Sequence, residues 1–280
     1  MALFTGTPSG NVAAWSPIII SREMLRFRKA KLVLGSRVWN RSQDALSEGQ
    51  RVSFPVEVEP TTNPVTADRT YTPTAYTGTV VSVDIDLFQE SSFSVGVDAD
   101  AQSKATKMLK DMKSRSYALA KYLEDYLWDL LDNGTVTQTD NVGAAITDKQ
   151  LRRLARYLED QDAMEEGDVY VAMGPADKDD IIGIDKYASV EFTGKAKGAA
   201  VTGEAPNIAG MVPLVTTRAG TDSNGRRRIL AFQKRAVGLI TQKKSPLAIQ
   251  KWPLKTDYVS WILAGANILD VNLAAFARVG

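Results

Sequence analysis

A chain of 280 residues with 44% apolar and 24% charged side chains is sized for one elaborated domain or two joined ones, and its composition excludes a mainly disordered or fibrous protein. Its 34 basic and 33 acidic residues almost cancel, and it has neither cysteine nor histidine. Disulfides, Ser-His-Asp and Cys-His nucleophilic sites and the usual Cys/His zinc sites are therefore excluded.

No apolar stretch approaches the ~20 residues of a membrane span. There is no Ser-x-x-Lys, no G-x-G-x-x-G and no phosphate loop, because Gly194-Lys195 is followed by Ala196 and lacks the upstream glycine. An enzyme would have to rely on carboxylates. Met1 to Gly10 lacks the charged and apolar regions of a signal peptide, so synthesis and folding are expected in the cytosol. The initial methionine adds the expectation that no N-terminal propeptide is removed.

In chain order, residues 1–20 are poor in charge and contain Gly6, Pro8, Gly10 and Pro17, which reads as an arm that neighbouring subunits hold in place. Val52, Phe54, Val56 and Val58 alternate with polar residues, and Val81, Val83, Ile85 and Leu87 repeat the pattern. Two strands forming a long hairpin follow from that period of two. Their connection, Pro60 to Gly78, holds seven threonines, Tyr71, Tyr76 and three prolines, and is far longer than the usual 2–5 residues. It reads as an extended loop that needs a partner.

Asp98 and Asp100 precede a long helix that runs to about Asp132 and stops at Asn133-Gly134. Ala105, Met108, Met112, Ser116, Leu119, Leu123, Leu127 and Leu131 form its apolar stripe. A second helix is predicted after Thr147, with Leu151, Leu154 and Leu158 on one face, then a strand at Val169-Tyr170-Val171 and a turn at Gly174-Pro175. From Ala231 onward the pattern is strand-like again, at Ala236 to Thr241, Tyr258 to Leu263 and Ile268 to Phe276. Strands far apart in sequence are expected to pair.

The charge is segregated. Arg22 to Arg41 carries seven bases against Glu23, Glu57 to Asp100 eight acids against Arg69, and Arg226 to Lys255 nine bases with no acid. The long helix has lysines and arginine first, then Glu124, Asp125, Asp129 and Asp132, which opposes the helix macrodipole. Charges outside the helix, in the same or a neighbouring subunit, are expected to compensate. Blocks of this kind suit self-association in a fixed orientation. Arg226-Arg227-Arg228 also admits nucleic-acid binding, with Trp252 able to stack on a base, although Trp252 before Pro253 reads better as a core or interface aromatic.

The order of these pieces resembles the major capsid proteins of tailed phages, whose fold is shared with encapsulins and the floor of herpesvirus capsids. The resemblance is carried by Gly49-Gln50-Arg51-Val52-Ser53-Phe54-Pro55 leading into the extended loop, by Ser92-Phe93-Ser94-Val95, and by Asp98 to Ser103 opening a long spine helix. Val169 to Pro175 is similar to the strand and turn before the axial domain's helix, and Gly203 to Val215 to the loop and apolar strand that follow.

The resemblance implies an α+β fold with an N-terminal arm (1–50), an extended hairpin loop (51–87), a peripheral domain with the spine helix (88–134), a mainly axial domain (135–230) and C-terminal strands returning to both (231–280). It implies a structural coat protein that assembles as hexamers and pentamers into the icosahedral head around double-stranded DNA. The head would be a virion component built in the host bacterial cytoplasm, with portal and scaffolding or cement proteins as further partners. An encapsulin-like compartment is the alternative within the same fold.

Some family members crosslink a loop lysine to an asparagine. This chain has no lysine between Lys31 and Lys104, so that chemistry is not expected. Inter-subunit contacts are expected at Arg69, Tyr71, Tyr76, Lys107, Lys110, Lys113, Arg226, Arg227 and Arg228. No catalytic, cofactor or metal residue is expected. Asp84 with Asp86, Asp98 with Asp100, Asp179-Asp180 and Glu165-Glu166 read as strand, cap or solvated charges.

Overall fold

Period-two stretches form strands and period-three-or-four stretches form helices in the computed structural model, which describes residues 29–42, 49–56, 62–63, 78–96, 112–132, 135–142, 145–164, 168–188 and 203–280. The fold is α+β. The strands are β1 (Trp39–Asn40), β2 (Arg51–Val56), β3 (Thr79–Asp84), β4 (Leu87–Gly96), β5 (Thr137–Val142), β6 (Val169–Met173), β7 (Val212–Val215), β8 (Arg227–Gln233), β9 (Val237–Lys251), β10 (Lys255–Ile268) and β11 (Ala274–Val279). The helices are α1 (Met112–Leu131), α2 (Asp148–Asp160), α3 (Pro175–Ile182) and α4 (Asp185–Ala188).

Two larger sheets share the chain. One has the order β1-β9-β10-β4 and the other β5-β11-β8-β6-β7, while β2 and β3 pair only with each other. β9 and β10 make a long antiparallel hairpin, β4 lies antiparallel along β10, and β1 runs parallel to the start of β9. The long-range pairing expected from the sequence is present: β10 joins β4, and β11 joins β5 in parallel. The chain passes from one sheet to the other between β4 and β5 and twice more through 3-10 turns at Lys234–Ala236 and Val271–Leu273. The last two crossings touch, because the amide of Leu269 donates to the carbonyl of Ala236 (2.8 Å).

α1 packs on β4 and β10 and drives Leu127, Trp128 and Leu131 into a core with Leu34, Phe232 and Phe276. Of the predicted stripe, Leu119, Leu127 and Leu131 are buried, Leu123 is half-buried and Ser116 is exposed. Ala105, Met108 and the start at Asp98 and Asp100 lie outside the described residues, as does the stop at Asn133-Gly134. α2 buries Leu151, Leu154 and Leu158 in a second core against Val171, Ile229 and Ala277. It starts where expected: the Gln150 side chain accepts from the amide (2.7 Å) and hydroxyl (3.1 Å) of Thr147, satisfying an otherwise unpaired end group.

Several boundaries differ from expectation for local reasons. The stretch 81–87 is two strands, because the amide of Ile85 bonds the carbonyl of Gln50 (2.8 Å) at the hairpin's foot and the chain then turns to join β10. Ile268 to Phe276 is broken where the Asp270 carboxylate accepts from the amide of Asn272 (2.9 Å) and caps a 3-10 turn. Gly174-Pro175 is the N-cap and first residue of α3, a position that suits proline because its missing N–H has no helical acceptor there.

At the first turn of α2, the Tyr187 hydroxyl donates to Asp148 (2.7 Å) and, with lesser help from Lys186 and Arg152, holds its carboxyl below the ordinary carboxylate range. A group depressed in the folded state contributes stability that is full above its unfolded pKa of ~3.9 and is lost as pH falls through the folded value. Tyr187→Phe should therefore cost about 1 kcal/mol at neutral pH. That difference should shrink below about pH 4; urea titrations at both pH values would show it, and a pH-independent difference would contradict it.

Candidate assembly surface and the charges behind it

The acidic half of α1 is answered inside the same chain. Glu124 is only 2% exposed, and its two oxygens accept from the amides of Val33 (2.7 Å), Leu34 (2.9 and 3.0 Å) and Gly35 (3.2 Å). The strap carrying those amides is tied down again where Thr216 Oγ1 donates to the carbonyl of Lys31 (2.6 Å) and the amide of Ala30 donates to the Tyr117 hydroxyl (2.6 Å). Buried charge is stable only when it is paired or hydrogen-bonded. Here main-chain donors do that work.

The remaining acids meet arginines from the five-stranded half. Arg218 grips Asp125 through Nε (2.8 Å) and Nη2 (2.6 Å). Arg228 reaches Asp129 (3.1 Å) and Asp132 (3.5 Å), gives its Nε to the carbonyl of Ala219 (2.7 Å) and lies over the Trp128 ring. Arg278 closes on Asp132 (2.8 Å). The compensation predicted for a helix charged against its dipole is thus supplied by β8, β11 and the turn before β8. For the basic half, Lys107 and Lys110 lie outside the described residues, as does the Lys113 side chain.

The same contacts decide how the Arg226 block sits. Arg227 bridges Asp177 (3.3 Å) and Asp180 (2.8 Å) on α3. Burial pushes the Asp177 carboxyl above its ordinary range, opposed by Arg227 and by the Gly174 amide. The amide of Arg226 donates to Asp222 (2.8 Å). Lys234 meets Asp168 and Lys255 meets Asp257. Four of the nine bases that look like one patch in the sequence, Arg227, Arg228, Lys234 and Lys255, thus pair with acids of the same chain.

Exposed apolar residues occur on both hairpins as well as at Tyr122, Val212 and Val271. The foot of the β2–β3 hairpin is buried: Phe54, Val83 and Ile85 pack on Ile240 of β9, flanked by Trp39 and Leu263. Arg51 pairs with Asp84 across that foot and holds its carboxyl below the ordinary range. Gly265 on β10 lies under it, where an added Cβ would stand 1.9 Å from the carbonyl oxygen of Asp84. Beyond the foot, Val56 and Val80 are exposed. Arg69, Tyr71 and Tyr76 lie outside the described residues.

At the tip of the β9–β10 hairpin Ile249, Trp252 and Leu254 are exposed, Leu254 by 81%, and Lys255 lies 5.7 Å from the Trp252 ring centroid. Trp252 is therefore not a core residue. Phe88, also exposed, leans on Trp261. The sequence reading missed Phe88, Ile249 and Leu254, because apolar residues in a strand carry no mark of which face meets solvent.

Asp84 is engaged by Arg51, Asp180 by Arg227, and no group of three potential ligands that could hold a metal occurs among the described residues. Asp98, Asp100, Glu165 and Glu166 lie outside them.

No protein-family profile and no curated protein matches the sequence. The fold is nevertheless shared with solved structures. A chain from Mycobacterium phage Che8 aligns with a TM-score of 0.76 and 16% identity, over 94% of this chain and 97% of that one. The capsid structure of Cyanophage P-SCSP1u gives 0.71 and 17%, over 99% and 97%. The mature capsid of bacteriophage PhiM1 gives 0.68 and 10%, over 94% and 92%.

Proposed function

We propose that this chain is the major capsid protein of a tailed phage, a structural subunit that tiles the head around double-stranded DNA and belongs to the virion. The observation that carries the reading is the extent of the likeness: nearly the whole chain matches nearly the whole of capsid chains. Two hairpins, one with exposed apolar residues at its tip, supply surface suited to neighbouring copies.

In this reading the four-stranded sheet with α1 is the peripheral domain and the five-stranded sheet with α2 and α3 is the axial domain. Residues 51–87, whose foot packs on β9, form the loop whose far end is laid across a neighbour, and 1–50 the arm, of which the strap and β1 are packed in this subunit. Hexamers and pentamers assemble in the bacterial cytoplasm, with portal and scaffolding or cement proteins as partners. The contacts expected at Arg69, Tyr71, Tyr76, Lys107, Lys110, Lys113 and Arg226 belong to this proposal. Arg227 and Arg228 are engaged within the chain, which favours a role in bracing the subunit.

Expression of the chain should give hollow particles on negative-stain microscopy that dissolve in hot detergent to a single band of 30.5 kDa. Replacing residues 60–78 with a short Gly-Ser turn should leave folded subunits that no longer close shells. Wild-type particle yield from that variant would overturn the loop's role, and only small soluble species from the unaltered chain would overturn the function.

A further inference from the structure

We propose that Asn224 is a site of spontaneous covalent modification, at which its carboxamide is lost to attack by the main-chain nitrogen of Gly225 and the turn before β8 gains an atom in its main chain. The sequence holds two Asn-Gly pairs. Asn133-Gly134 lies outside the described residues, whereas Ser223, Asn224 and Gly225 are an exposed turn tip. The Asn224 carboxamide makes no hydrogen bond among the described residues; its backbone amide donates to Asp222 Oδ1 (2.8 Å). Gly225 stands at φ 78°, and a Cβ placed on it would meet nothing within 4 Å.

The tip therefore offers a carboxamide free to rotate, a following nitrogen with no side chain beside it, and open solvent. Groups adjacent in one chain react as though at very high concentration, and asparagine is among the thermolabile side chains. The Gly225 N–H donates to the carbonyl of Asp222 (3.0 Å), so attack awaits the opening of that bond, and openings at exposed tips are the least costly a fold makes.

The Gly225 nitrogen, its proton passed to solvent base, bonds to Cγ of Asn224. The Cγ–Nδ2 bond breaks and the nitrogen leaves as ammonia with a proton from water. Water then opens the cyclic imide: attack at Cγ gives aspartate, and attack at the main-chain carbonyl gives isoaspartate, in which the chain runs through Cβ and is one carbon longer. The sum is an amide and water converted to an acid and ammonia, with no change of oxidation state.

That added carbon would fall inside a closed set of bonds. Asp222 takes the Gly225 amide on its carbonyl and the Arg226 amide on Oδ1 (2.8 Å), and gives its own amide to the Arg226 carbonyl (2.8 Å). All three span residues 224 and 225, so a longer chain cannot keep them together. Two consequences reach beyond the turn. Asp222 Oδ2 and Arg278 Nε are buried, without hydrogen-bond partners among the described residues and 3.7 Å apart, and Arg278 also holds Asp132 of α1 (2.8 Å). Arg227 and Arg228, which follow at once, hold Asp180 and Asp129. The chemistry depends on the turn alone and not on whether the chain builds a shell.

The test is to hold the full-length chain at neutral and at mildly alkaline pH for weeks, then digest it fully with trypsin and follow the peptide from Ala219 to Arg226 by chromatography and mass spectrometry. The acid form should accumulate at Asn224, faster at the higher pH, as separate aspartate and isoaspartate peaks. Asn40, Asn267 and Asn272, exposed but not followed by glycine, should keep their amides, and so should the side chain in Asn224→Gln, which would have to close a larger ring. An intact amide at Asn224, or equal loss at the other three asparagines, would overturn the site.

Limited trypsin digestion of the aged, folded chain should cut after Arg226, Arg227 and Arg228 several-fold faster than in fresh protein, in proportion to isoaspartate. Freshly prepared Asn224→Asp, which brings the charge without the added atom, should digest as fresh wild type does. Equal digestion of aged and fresh chains, or equal sensitivity in Asn224→Asp, would overturn the lengthened turn as the cause.

Discussion

Gly265→Ala is expected to unseat the β2–β3 hairpin and to lower stability by about 3 kcal/mol. The added methyl would stand 1.9 Å from the carbonyl oxygen of Asp84, 2.8 Å from its carbonyl carbon and 3.0 Å from the Cα of Ile85. All three are backbone atoms, so no rotamer change relieves the clash. Either β10 bends, breaking its register with β9 opposite Ile240, or the foot of the hairpin lifts.

Lifting exposes Val83 and Ile85, now almost wholly buried, and breaks the bond from Asn267 Nδ2 to the carbonyl of Ser82 (2.8 Å). Urea unfolding should show a lower midpoint, and under the proposed function particle yield should fall further than stability alone predicts, because that reading lays the hairpin across a neighbour. An unchanged midpoint would show that the crossing is looser than this geometry requires.

A loss of about 3–5 kcal/mol is expected for Glu124→Ala. The substitution removes the carboxylate that accepts from the buried amides of Val33 and Leu34, and an orphaned buried donor costs ~1–3 kcal/mol. Glu124→Gln is isosteric but turns an NH2 group toward amide donors, so it should fall between wild type and alanine. Asp125→Ala, at a site a third exposed, should cost less. Limited trypsin digestion separates this from general destabilisation: Lys29 and Lys31 should become cleavable in the Glu124 variants while the rest of the chain still resists. Equal protection of the strap in wild type and Glu124→Ala would refute its role as a latch.

Much of this was legible in the residues. The hairpin was readable because polar and apolar positions alternate on both strands, and α2 because Thr147 and Gln150 sit at the right spacing before an apolar face. Buried strands were harder. β8 begins at Arg227, four residues before the expected Ala231, because arginines that pair with Asp177 and Asp132 read as loop charges in a sequence. β9 extends to Lys251, well past Thr241, since Lys243 and Lys244 interrupt its pattern.

Glu124 was hidden differently. It shares a helical face with Leu127, Trp128 and Leu131, which its spacing would have revealed, but an acid there was read as part of a charged block. Its partners are backbone amides some ninety residues away, and a side chain that binds main chain leaves no complementary residue to find.

The strand orders also set a clock on synthesis. β9 and β10 are the two inner strands of the four-stranded sheet, and β11 and β8 lie inside the five-stranded one. All four come from residues 227–280, so the strands made before residue 227 lack the inner strands that join them into the two larger sheets. Neither core can close, and closing it requires pairing across long sequence separations, which is slow. A nascent chain is thereby denied either finished core until residues 227–280 have been made.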